Sequence, residues 1–390
     1  MEPLAAYISK QALRANLAAI RQRVGPTSLC AMVKADGYGH GMELVAATLA
    51  DGVEFFAVAR VEEAQRLDRL ALGKPILLCE PAPPAPSPGQ DSYLSDRLEA
   101  ICRVRNIRPT IGDAAGAEAL GETARRLNVR LPVHLKIDTG MGRNGFPPEE
   151  IDSVLEAADR SGSLLVEGIY THLAAADEPD ELFTREQLAR FEHLVAHVAA
   201  QGRAIRYTHA TNSAGLARFD VPHLTLARPG IALYGYQANG GSPWEMPLSP
   251  VLRLTARLAL LRDLPADHAI GYGSTWKTRR ASRIGLLPIG YGDGYNRRFG
   301  NLAVMQIRGR DVPVVGRISM DLTTLDLTDL PGGGREVRVG DEVTVISERR
   351  SDSNSVEGLA RLAGTIPYEI TCQIGTRVRR ELVDSFAQRA

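Results

Sequence analysis

The chain has 390 residues, more than one compact domain usually holds, so two domains are expected. Lysine plus arginine and aspartate plus glutamate each total 46, and this zero net charge gives no general attraction for nucleic acid or an anionic membrane. The four cysteines are scattered and form no CxxC pair, which argues against a metal site or a disulfide framework. Without a signal-peptide pattern at the N-terminus or ~18 consecutive apolar residues, we expect a cytoplasmic protein that does not enter membranes.

Residues 28–235 alternate short apolar runs with longer amphipathic segments, the pattern of strands that are each followed by a helix. The predicted strands are 29–33, 55–59, 76–79, 108–111, 133–137, 166–172, 207–210 and 224–227. The predicted helices are 40–50, 61–72, 92–104, 114–127, 149–159, 181–200 and a short one from Ser213. These units predict an α/β fold with an N-terminal (β/α)8 barrel of the TIM type. A doubly wound open sheet is the alternative, but it would usually have fewer strands and a GxGxxG turn after the first one, which the sequence lacks.

The connection after the third predicted strand, residues 81–88, holds five prolines in PAPPAPSP. Proline restricts the backbone to extended conformations, so this segment predicts a stiff, polyproline-like surface loop. A docking role for a partner is the less favoured alternative.

The sequence pattern changes near residue 240. From Leu252 onward, short alternating runs such as SRIGLLPI, VPVVG and EVTVIS are separated by turn residues, which predicts a C-terminal mainly-β domain. We therefore divide the chain into a barrel, 1–243, and a β-domain, 244–390. A first strand near residues 5–10 could pair with the β-domain rather than with the barrel.

Polar side chains follow five predicted barrel strands, at the end of the barrel where active sites lie. Lys34 follows the first strand in VKADGYGHG, where a lysine suits Schiff-base chemistry and Tyr38 offers a hydroxyl. The other strand ends carry Lys136, Asp138 and Arg143 in LKIDTGMGRNG, His172 in YTHLA, Asn212 and Ser213 in HATNSAG, and Arg228 in ARPGIALYG. Each has a structural explanation when taken alone; Ser213, for example, is predicted as a helix N-cap, a position that would also suit a phosphate. Together they predict a polar, cation-rich pocket at the barrel mouth.

These motifs resemble, in order, those of the alanine racemase family, and so do GYGST, PIGYGDGY, GRISMD and IPYE in the second domain. The likeness runs from about Tyr7 to Arg379, with Gly37 standing where alanine is more usual. The resemblance implies an isomerase that interconverts L-alanine and D-alanine with pyridoxal phosphate by a two-base mechanism. It also implies a homodimer with shared active sites, and a product used for cell-wall peptidoglycan.

The resemblance assigns roles to barrel residues as well. Lys34 would carry the coenzyme and act as the base on one face of the substrate, while Arg228 would face the ring nitrogen, where amino-acid decarboxylases of this architecture have a carboxylate. Arg143 would bind the substrate carboxylate, and Lys136 matches a lysine that family members often carry as a carbamate. The implied coenzyme-binding residues are Lys34, Tyr38, His172, Asn212, Ser213, Arg228, Gly230, Ile231 and Tyr368.

The second domain is implied to complete the active site of the partner chain. Tyr272 would be the base on the opposite face of the substrate, and Met320 and Asp321 would contact the substrate there. The residues implied to form an access corridor are Tyr291, Arg297, Arg317 and Ile366. From the residues alone, Tyr272 could be a loop aromatic, and Asp321 with Arg317 a surface ion pair worth about 0–1 kcal/mol.

Three other functions stay open. The first is an amino-acid racemase of broader specificity, because no motif encodes the width of the corridor. The second is a basic-amino-acid decarboxylase, against which Arg228 and the pairing of Lys34 with Tyr272 argue. The third is a non-enzymatic carrier of pyridoxal phosphate built as a single barrel, which would lack the second domain.

Overall fold

The structure is a computed structural model that describes residues 3–87, 92–237 and 244–389. It consists of a barrel of parallel strands followed by a region of mainly antiparallel strands. Within the described residues, no helix is both long and apolar enough to cross a membrane.

Eight parallel strands form the barrel sheet. They are β2 (Ser28–Met32), β3 (Phe55–Val58), β4 (Ile76–Pro81), β5 (Ile107–Ile111), β6 (Leu131–Lys136), β7 (Leu164–Tyr170), β8 (Tyr207–His209) and β9 (Leu226–Ala227). From β2 to β8 each strand pairs with the next along the chain, and β9 pairs with β2. Between β8 and β9, the Thr225 N–H donates to the Thr208 carbonyl at 3.0 Å and the Arg228 N–H to the Thr211 carbonyl at 3.1 Å. The sheet is therefore a nearly closed barrel, and the predicted TIM-type fold is confirmed.

Helices precede and connect the barrel strands. In this part of the chain they are α1 (Lys10–Val24), α2 (Lys34–Tyr38), α3 (Met42–Leu49), α4 (Val61–Asp68), α5 (Tyr93–Arg103), α6 (Ala114–Arg126), α7 (Ile151–Arg160), α8 (Leu182–Ala200) and α9 (Ser213–Arg218). Most bounds lie within two residues of the prediction. Helix α4 ends four residues before the predicted end at 72, because the chain turns through positive φ at Ala71 (52°) and Gly73 (70°).

Apolar burial on both faces of the sheet holds the barrel together. Because helices cover the outside of a parallel barrel, its strands lose solvent on both sides. In β3, Phe55 and Phe56 are each 1% exposed although they point to opposite faces. Helix α7 buries Val154 and Leu155 against this sheet and leaves Asp152 exposed. The apolar positions thus fix the strands and leave their carboxyl ends for polar side chains.

Strands β10 to β19 build the rest of the chain. They are β10 (Leu252–Arg257), β11 (Leu260–Leu264), β12 (Ala269–Ile270), β13 (Trp276–Lys277), β14 (Ser282–Leu287), β15 (Val304–Ile307), β16 (Arg310–Pro313), β17 (Thr323–Asp326), β18 (Glu342–Ile346) and β19 (Arg379–Val383). A six-stranded sheet has the order β16-β15-β18-β10-β1-β19, where β1 is Leu4–Ser9, and a three-stranded sheet has the order β11-β14-β17. Strand β1 therefore belongs to the C-terminal sheet, pairing antiparallel with β10 and parallel with β19.

Two helices interrupt the β-type pattern near the C-terminus, α10 (Val356–Ala363) and α11 (Pro367–Cys372). Neither was predicted. Strand-like alternation flanks both helices and led to a β prediction for the whole region. Helix signals are nevertheless present, because Ser355 Oγ accepts the Gly358 N–H at 3.1 Å and Gly364 ends α10 in the left-handed region. The region is still mainly β, as predicted.

Two predictions concern segments that are only partly described. Pro81 ends β4, and residues 82–87 lie in neither helix nor strand, whereas Pro88 is outside the described residues. The division at 243/244 falls at residues 238–243, which are also outside them. The role of the proline-rich loop and the exact domain boundary therefore stay predictions.

Candidate active site

Lys34 lies two residues beyond β2, at the carboxyl end of the barrel. The segment that begins with it, α2, has left-handed backbone, with φ of 51° at Ala35 and 53° at Asp36. Such a conformation costs a non-glycine residue roughly 1–2 kcal/mol. Contacts from α4 hold it, because the Glu63 carboxylate accepts the Ala35 N–H at 2.6 Å and Arg66 pairs with Asp36 at 3.1 Å. The turn thus fixes the direction in which Lys34 leaves the strand.

Arg228 is a buried cation, 4% exposed, just beyond β9. Its Nη1 lies 2.7 Å from His209 Nδ1, and its Nη2 donates to the carbonyls of Thr171 at 2.7 Å and Ala210 at 3.0 Å. His172 Nδ1 lies 3.4 Å from the same Nη2. None of these four partners is a carboxylate. A buried charge without an opposite partner is costly, so the pocket favours a ligand that offers Arg228 an acceptor.

The charges around Arg228 act on one another strongly. Burial, and next the charge of Arg228, lowers the pKa of His172 to about 2, so this ring is neutral at pH 7. The same two causes lower the pKa of Lys136, which is 2% exposed, to about 7. A large share of this amine is therefore uncharged near neutrality. Arg143 also acts on both groups, and Lys34 acts on His172, so these residues lie near one another at the barrel mouth.

A capped loop carries Arg143. The Asp138 carboxylate accepts the N–H groups of residues 140–142 at 2.9, 2.8 and 2.8 Å. Burial opposes ionisation of Asp138, but these bonds outweigh it and lower the pKa. The loop then passes close to Lys136, because a Cβ at Gly145 would lie 2.6 Å from the Lys136 carbonyl oxygen. This glycine allows the close return that keeps Arg143 beside Lys136.

Ser213 is not the N-cap of α9, and that prediction is wrong. Asn212 has the extended backbone of a cap, and its Oδ1 accepts the Gly215 N–H at 2.8 Å. Ser213 is already helical, and its Oγ accepts the N–H of Gly230 at 2.9 Å and of Ala232 at 3.2 Å. The serine therefore joins α9 to the turn after β9.

Hydroxyl groups gather beside the same turn. Tyr38 is 7% exposed, its ring stacks on Tyr234 at 5.0 Å, and its centroid lies 6.0 Å from that of Tyr368 in α11. A Cβ at Gly230 would lie 2.5 Å from the Tyr38 hydroxyl, so only glycine permits this approach. Ile231, fully buried, begins the turn Ile231–Tyr234. Tyrosine hydroxyls and backbone amides thus converge at one corner of the pocket.

The predicted second base lies on a different surface. Tyr272 begins the turn Tyr272–Ser274 and is 69% exposed. The turn packs on Arg317, since a Cβ at Gly273 would lie 2.6 Å from Arg317 Nη1. Met320, three residues further along that loop, is 54% exposed. Tyr272, Arg317 and Met320 form one exposed group on the β-domain, which we call the tyrosine face.

Asp321 is adjacent to the tyrosine face and pairs with Arg377 at 2.8 Å. The alternative of an ion pair between Asp321 and Arg317 is therefore wrong. Arg377 also pairs at 3.0 Å with Asp293, a buried carboxylate that lies within the turn Tyr291–Asp293.

The predicted corridor residues divide between the two surfaces. Tyr291 is 43% exposed and donates its N–H to the Ser319 carbonyl at 3.1 Å, next to Met320. Arg297 is also exposed, in the turn Arg297–Phe299. Ile366 is 45% exposed and instead directly precedes α11, the helix that carries Tyr368.

We did not predict a place for Cys79 in the pocket. Burial raises the pKa of its thiol, and the charges of Lys34, Arg228, Arg143 and Lys136 oppose that rise, so the thiol lies among all four cations. A cysteine that ends an apolar run, with no partner motif, carries no signal for this position. His209, by contrast, was visible within HATNSAG as a polar residue at a strand end.

The fold and the pocket define a two-domain barrel protein that holds its ligand with side chains from the carboxyl ends of the strands. Two family models match the chain: the alanine racemase N-terminal domain over residues 8–238 and the alanine racemase C-terminal domain over residues 251–382. The chain belongs to the alanine racemase family, a family of pyridoxal-phosphate-dependent isomerases.

Individual relatives agree with the family match. The alanine racemase of Symbiobacterium thermophilum is 41% identical over 382 residues, covering 97% of each chain. The solved alanine racemase of Clostridium difficile 630 matches with a TM-score of 0.87 and 30% identity, over 98% of this chain and 96% of that one. The structure from Bacillus anthracis with bound L-Ala-P matches with a TM-score of 0.85 and 26% identity, over 100% and 99%. The expected family, fold and isomerase function are confirmed.

Proposed function

We propose that this chain interconverts L-alanine and D-alanine with pyridoxal phosphate, as a cytoplasmic homodimer whose D-alanine serves cell-wall peptidoglycan. One observation carries the proposal: Arg228, buried and without an acidic partner, lies beside a neutral His172 in the pocket that Lys34 enters. In that position an arginine suits racemisation, whereas a carboxylate would suit decarboxylation.

The residues present fit the coenzyme. The hydroxyls of Tyr38, Ser213 and Tyr368 and the N–H groups of Gly230 and Ile231 are donors of the kind that bind phosphate. The glycine at position 230 keeps this corner open, since a Cβ would contact the Tyr38 hydroxyl. His172, Asn212 and Arg228 are the residues that would surround the ring.

When bound, pyridoxal phosphate would supply an electron sink for the negative charge that develops at the substrate Cα. The chain would supply position and proton transfer. Lys34 would hold the coenzyme through Nζ and afterwards remove or return the Cα proton on one face. Arg228 would donate a hydrogen bond to the ring nitrogen without giving up its proton, because a guanidinium stays charged at any physiological pH. Restricting charge at that nitrogen favours return of the proton to Cα over side reactions.

Inversion requires a second proton carrier on the opposite face, since one rigidly held base cannot serve both faces. Tyr272 is our candidate, and its hydroxyl would hold that proton. Because Tyr272 and Met320 are exposed within their own chain, we infer that the tyrosine face covers the barrel mouth of a second chain, bringing Asp321 to the substrate as well. A two-fold dimer then has two such sites.

Arg143 is our candidate for binding the substrate carboxylate, because a guanidinium can give a carboxylate two directed hydrogen bonds. Lys136, with its pKa of about 7, provides the neutral amine that carbon dioxide needs to form a carbamate. A carbamate would place a negative charge between Lys136 and Arg143 and so orient the guanidinium. Tyr291, Arg297, Arg317 and Ile366 would line the corridor and limit the size of the substrate side chain.

A chiral assay over alanine, serine and lysine tests the proposed activity. We expect yellow protein that equilibrates the two alanine enantiomers much faster than those of serine or lysine. Equal rates on all three would indicate the broader racemase, and release of carbon dioxide from lysine the decarboxylase. Yellow protein without turnover of any of them would indicate the carrier.

Mixing two inactive variants tests the shared site. A Lys34→Ala chain and a Tyr272→Phe chain should each have little activity, whereas their heterodimer has one site with both native residues and should recover activity. Absence of recovery in verified heterodimers would show that Lys34 and Tyr272 act from the same chain.

A further inference from the structure

A row of polar side chains leads from Arg228 at the barrel mouth into the barrel interior. His209 Nδ1 lies 2.7 Å from Arg228 Nη1, and His209 Nε2 lies 2.8 Å from His134 Nδ1. Both histidines are 0% exposed. His134 Nε2 faces Glu167 Oε2 at 3.9 Å, and Glu167 pairs with Arg108 at 2.6 Å near the start of β5. We call Arg228, His209, His134 and Glu167 the histidine relay.

The histidine relay runs from the barrel mouth toward the amino ends of the strands. Arg228 follows β9 and His209 is the last residue of β8. His134 is two residues deeper in β6 than Lys136, on the same face, because alternate strand residues share a face. The carboxylate of Glu167 also faces Arg206, the residue before β8 begins, at 3.9 Å. The histidine relay therefore joins the pocket to the amino ends of the strands.

An irregularity in the sheet places Glu167. Val133 pairs with Val166 and His134 pairs with Gly168, so Glu167 is an extra residue in β7. A bulge of this kind redirects a side chain relative to a regular strand. Gly168 adds the necessary space, because a Cβ there would lie 2.6 Å from His134 Nδ1. The bulge and the glycine together bring a carboxylate against a buried histidine.

While Arg228 keeps this orientation, the donors and acceptors in the relay fit one arrangement of protons. A guanidinium has donors and no acceptor, so His209 Nδ1 must accept from Arg228 and carries no proton. Burial lowers the pKa of both histidines, which are therefore neutral and carry one proton each. The proton of His209 must be on Nε2, where it donates to His134 Nδ1. The proton of His134 must then be on Nε2, the nitrogen that faces Glu167.

Glu167 provides the negative charge that the last N–H of this arrangement faces. Burial opposes its ionisation, but His134 and Arg108 outweigh burial and lower its pKa to about 2, so the carboxylate is charged at neutral pH. Within the described residues, His134 Nε2 is buried and has no partner inside hydrogen-bond distance, and the Glu167 oxygen at 3.9 Å is the charged acceptor that faces it. A buried N–H is favoured where it faces a negative charge and is costly where it does not.

We propose that Glu167 is a positioning residue for Arg228. Its charge holds the His134 proton on Nε2, which in turn holds the His209 proton on Nε2 and leaves Nδ1 free to accept from Arg228. The other guanidinium nitrogen is fixed by the carbonyls of Thr171 and Ala210, so the relay completes the orientation of the group. The importance of this orientation for catalysis rests on the proposed function, whereas the proton arrangement does not.

Nitrogen-15 NMR of the full-length protein, labelled at its histidine ring nitrogens, tests the proton arrangement. The chain has eight histidines, and loss of single signals in His134→Asn and His209→Asn assigns the two of interest. We expect both to have a protonated Nε2 and a bare Nδ1. A protonated Nδ1 on either histidine in the wild-type protein overturns the proposal without any need for a Glu167 variant to fold.

Three variants separate positioning from a purely structural role. Glu167→Leu removes the acceptor and should give His134 and His209 mixed protonation patterns, whereas Glu167→Gln keeps an acceptor oxygen and should restore the wild-type pattern at least in part. Arg108→Gln removes the ion pair but keeps the carboxylate, so it should leave both patterns unchanged. Unchanged patterns in Glu167→Leu, or altered ones in Arg108→Gln, would refute the assignment.

The consequence for the reaction is measured separately, as the ratio of transamination to racemisation of alanine. Loss of one buried, charge-assisted hydrogen bond at Arg228 should raise this ratio roughly tenfold in Glu167→Leu, with Arg108→Gln near the wild-type ratio. An unchanged ratio in an active Glu167→Leu enzyme would refute positioning, even if the NMR patterns change. Failure of the wild-type protein to racemise alanine would refute the proposed function and leave the NMR result to decide the relay.

Discussion

The barrel pocket and the tyrosine face are held in different ways. Lys136 and Arg228 are 2% and 4% exposed and are fixed by contacts within the barrel, whereas Tyr272 and Met320 are 69% and 54% exposed. A pocket that buries the Arg228 guanidinium without an acidic partner is suited to a ligand, and an exposed tyrosine near an exposed methionine is suited to contact another surface. Under the proposed function, one chain would suffice for coenzyme binding and two chains would be needed for catalysis.

The largest effect should come from the pocket side of this comparison. Lys34→Ala should remove covalent attachment of the coenzyme and reduce alanine turnover by more than the ~10²–10⁴-fold that a positioned acid or base contributes alone. Borohydride treatment followed by peptide mapping should find the label on Lys34 in the wild-type protein. Lys74→Ala, at the opposite end of the barrel before β4, is the matched control and should keep the yellow colour. Label on a different lysine would contradict the assignment.

Replacement on the tyrosine face should separate binding from catalysis. Tyr272→Phe should retain the coenzyme but lose about 10²–10⁴-fold in turnover, because only one proton carrier remains. Isotope exchange at Cα, measured from each alanine enantiomer, should fall far more for one enantiomer than for the other. Equal and mild losses in both directions would contradict a second base at this position.

A pH experiment tests whether the amine of Lys136, on the pocket side of the comparison, is buried. Lys136 has a folded-state pKa of about 7, below the ~10.4 of a free lysine, so between these values the unfolded chain binds more protons than the folded one. The free energy of unfolding of the wild type, relative to Lys136→Met, should therefore rise with pH over this range, by at most ~1.4 kcal/mol per pH unit. Below pH 7 the difference should be constant.

Denaturant titrations at several pH values measure this difference. Lys277→Met, which removes an exposed lysine paired with Asp267, is the matched control for the loss of a lysine. A flat profile for Lys136→Met would show that its amine is not held in a low-polarity environment.

The smallest effect should come from the ion pair beside the tyrosine face. The side chains of Asp321 and Arg377 are 60% and 52% exposed, so solvent screens the pair and Asp321→Asn should change the free energy of unfolding only slightly. Asp293→Asn affects the same arginine, but Asp293 is buried and accepts the Gly290 N–H at 3.0 Å, so its loss should cost more. Similar stability losses in the two variants would contradict the distinction between exposed and buried pairs.

Most of the barrel was predictable because its physical causes are local in sequence. Apolar runs such as residues 55–58 are buried on both faces, and the polar groups that follow the strands gather at one end as a consequence of parallel topology. The N-cap at Ser213 was misassigned because Asn212 and Ser213 both suit that position and the sequence does not distinguish them. Helix α10 could have been predicted from Ser355 and Gly364 alone.

Other features depend on distant contacts and were beyond prediction. The bulge at Glu167 arises from how β6 and β7 pair, and no local pattern in VEGIY marks it. The position of Cys79 among four cations likewise depends on strands that are far apart in sequence. The roles of the site residues themselves stay predictions until the variants are measured.

The direction in which the Lys34 side chain leaves β2 depends on the left-handed backbone of the residues that follow it. In a free peptide, Ala35, Asp36 and Tyr38, with φ of 51°, 53° and 54°, would revert to right-handed conformations. The folded chain retains them only while Glu63 and Arg66 of α4 hold the turn. Grafting the nine residues of VKADGYGHG onto the strand of another protein would therefore transfer the lysine but not its direction.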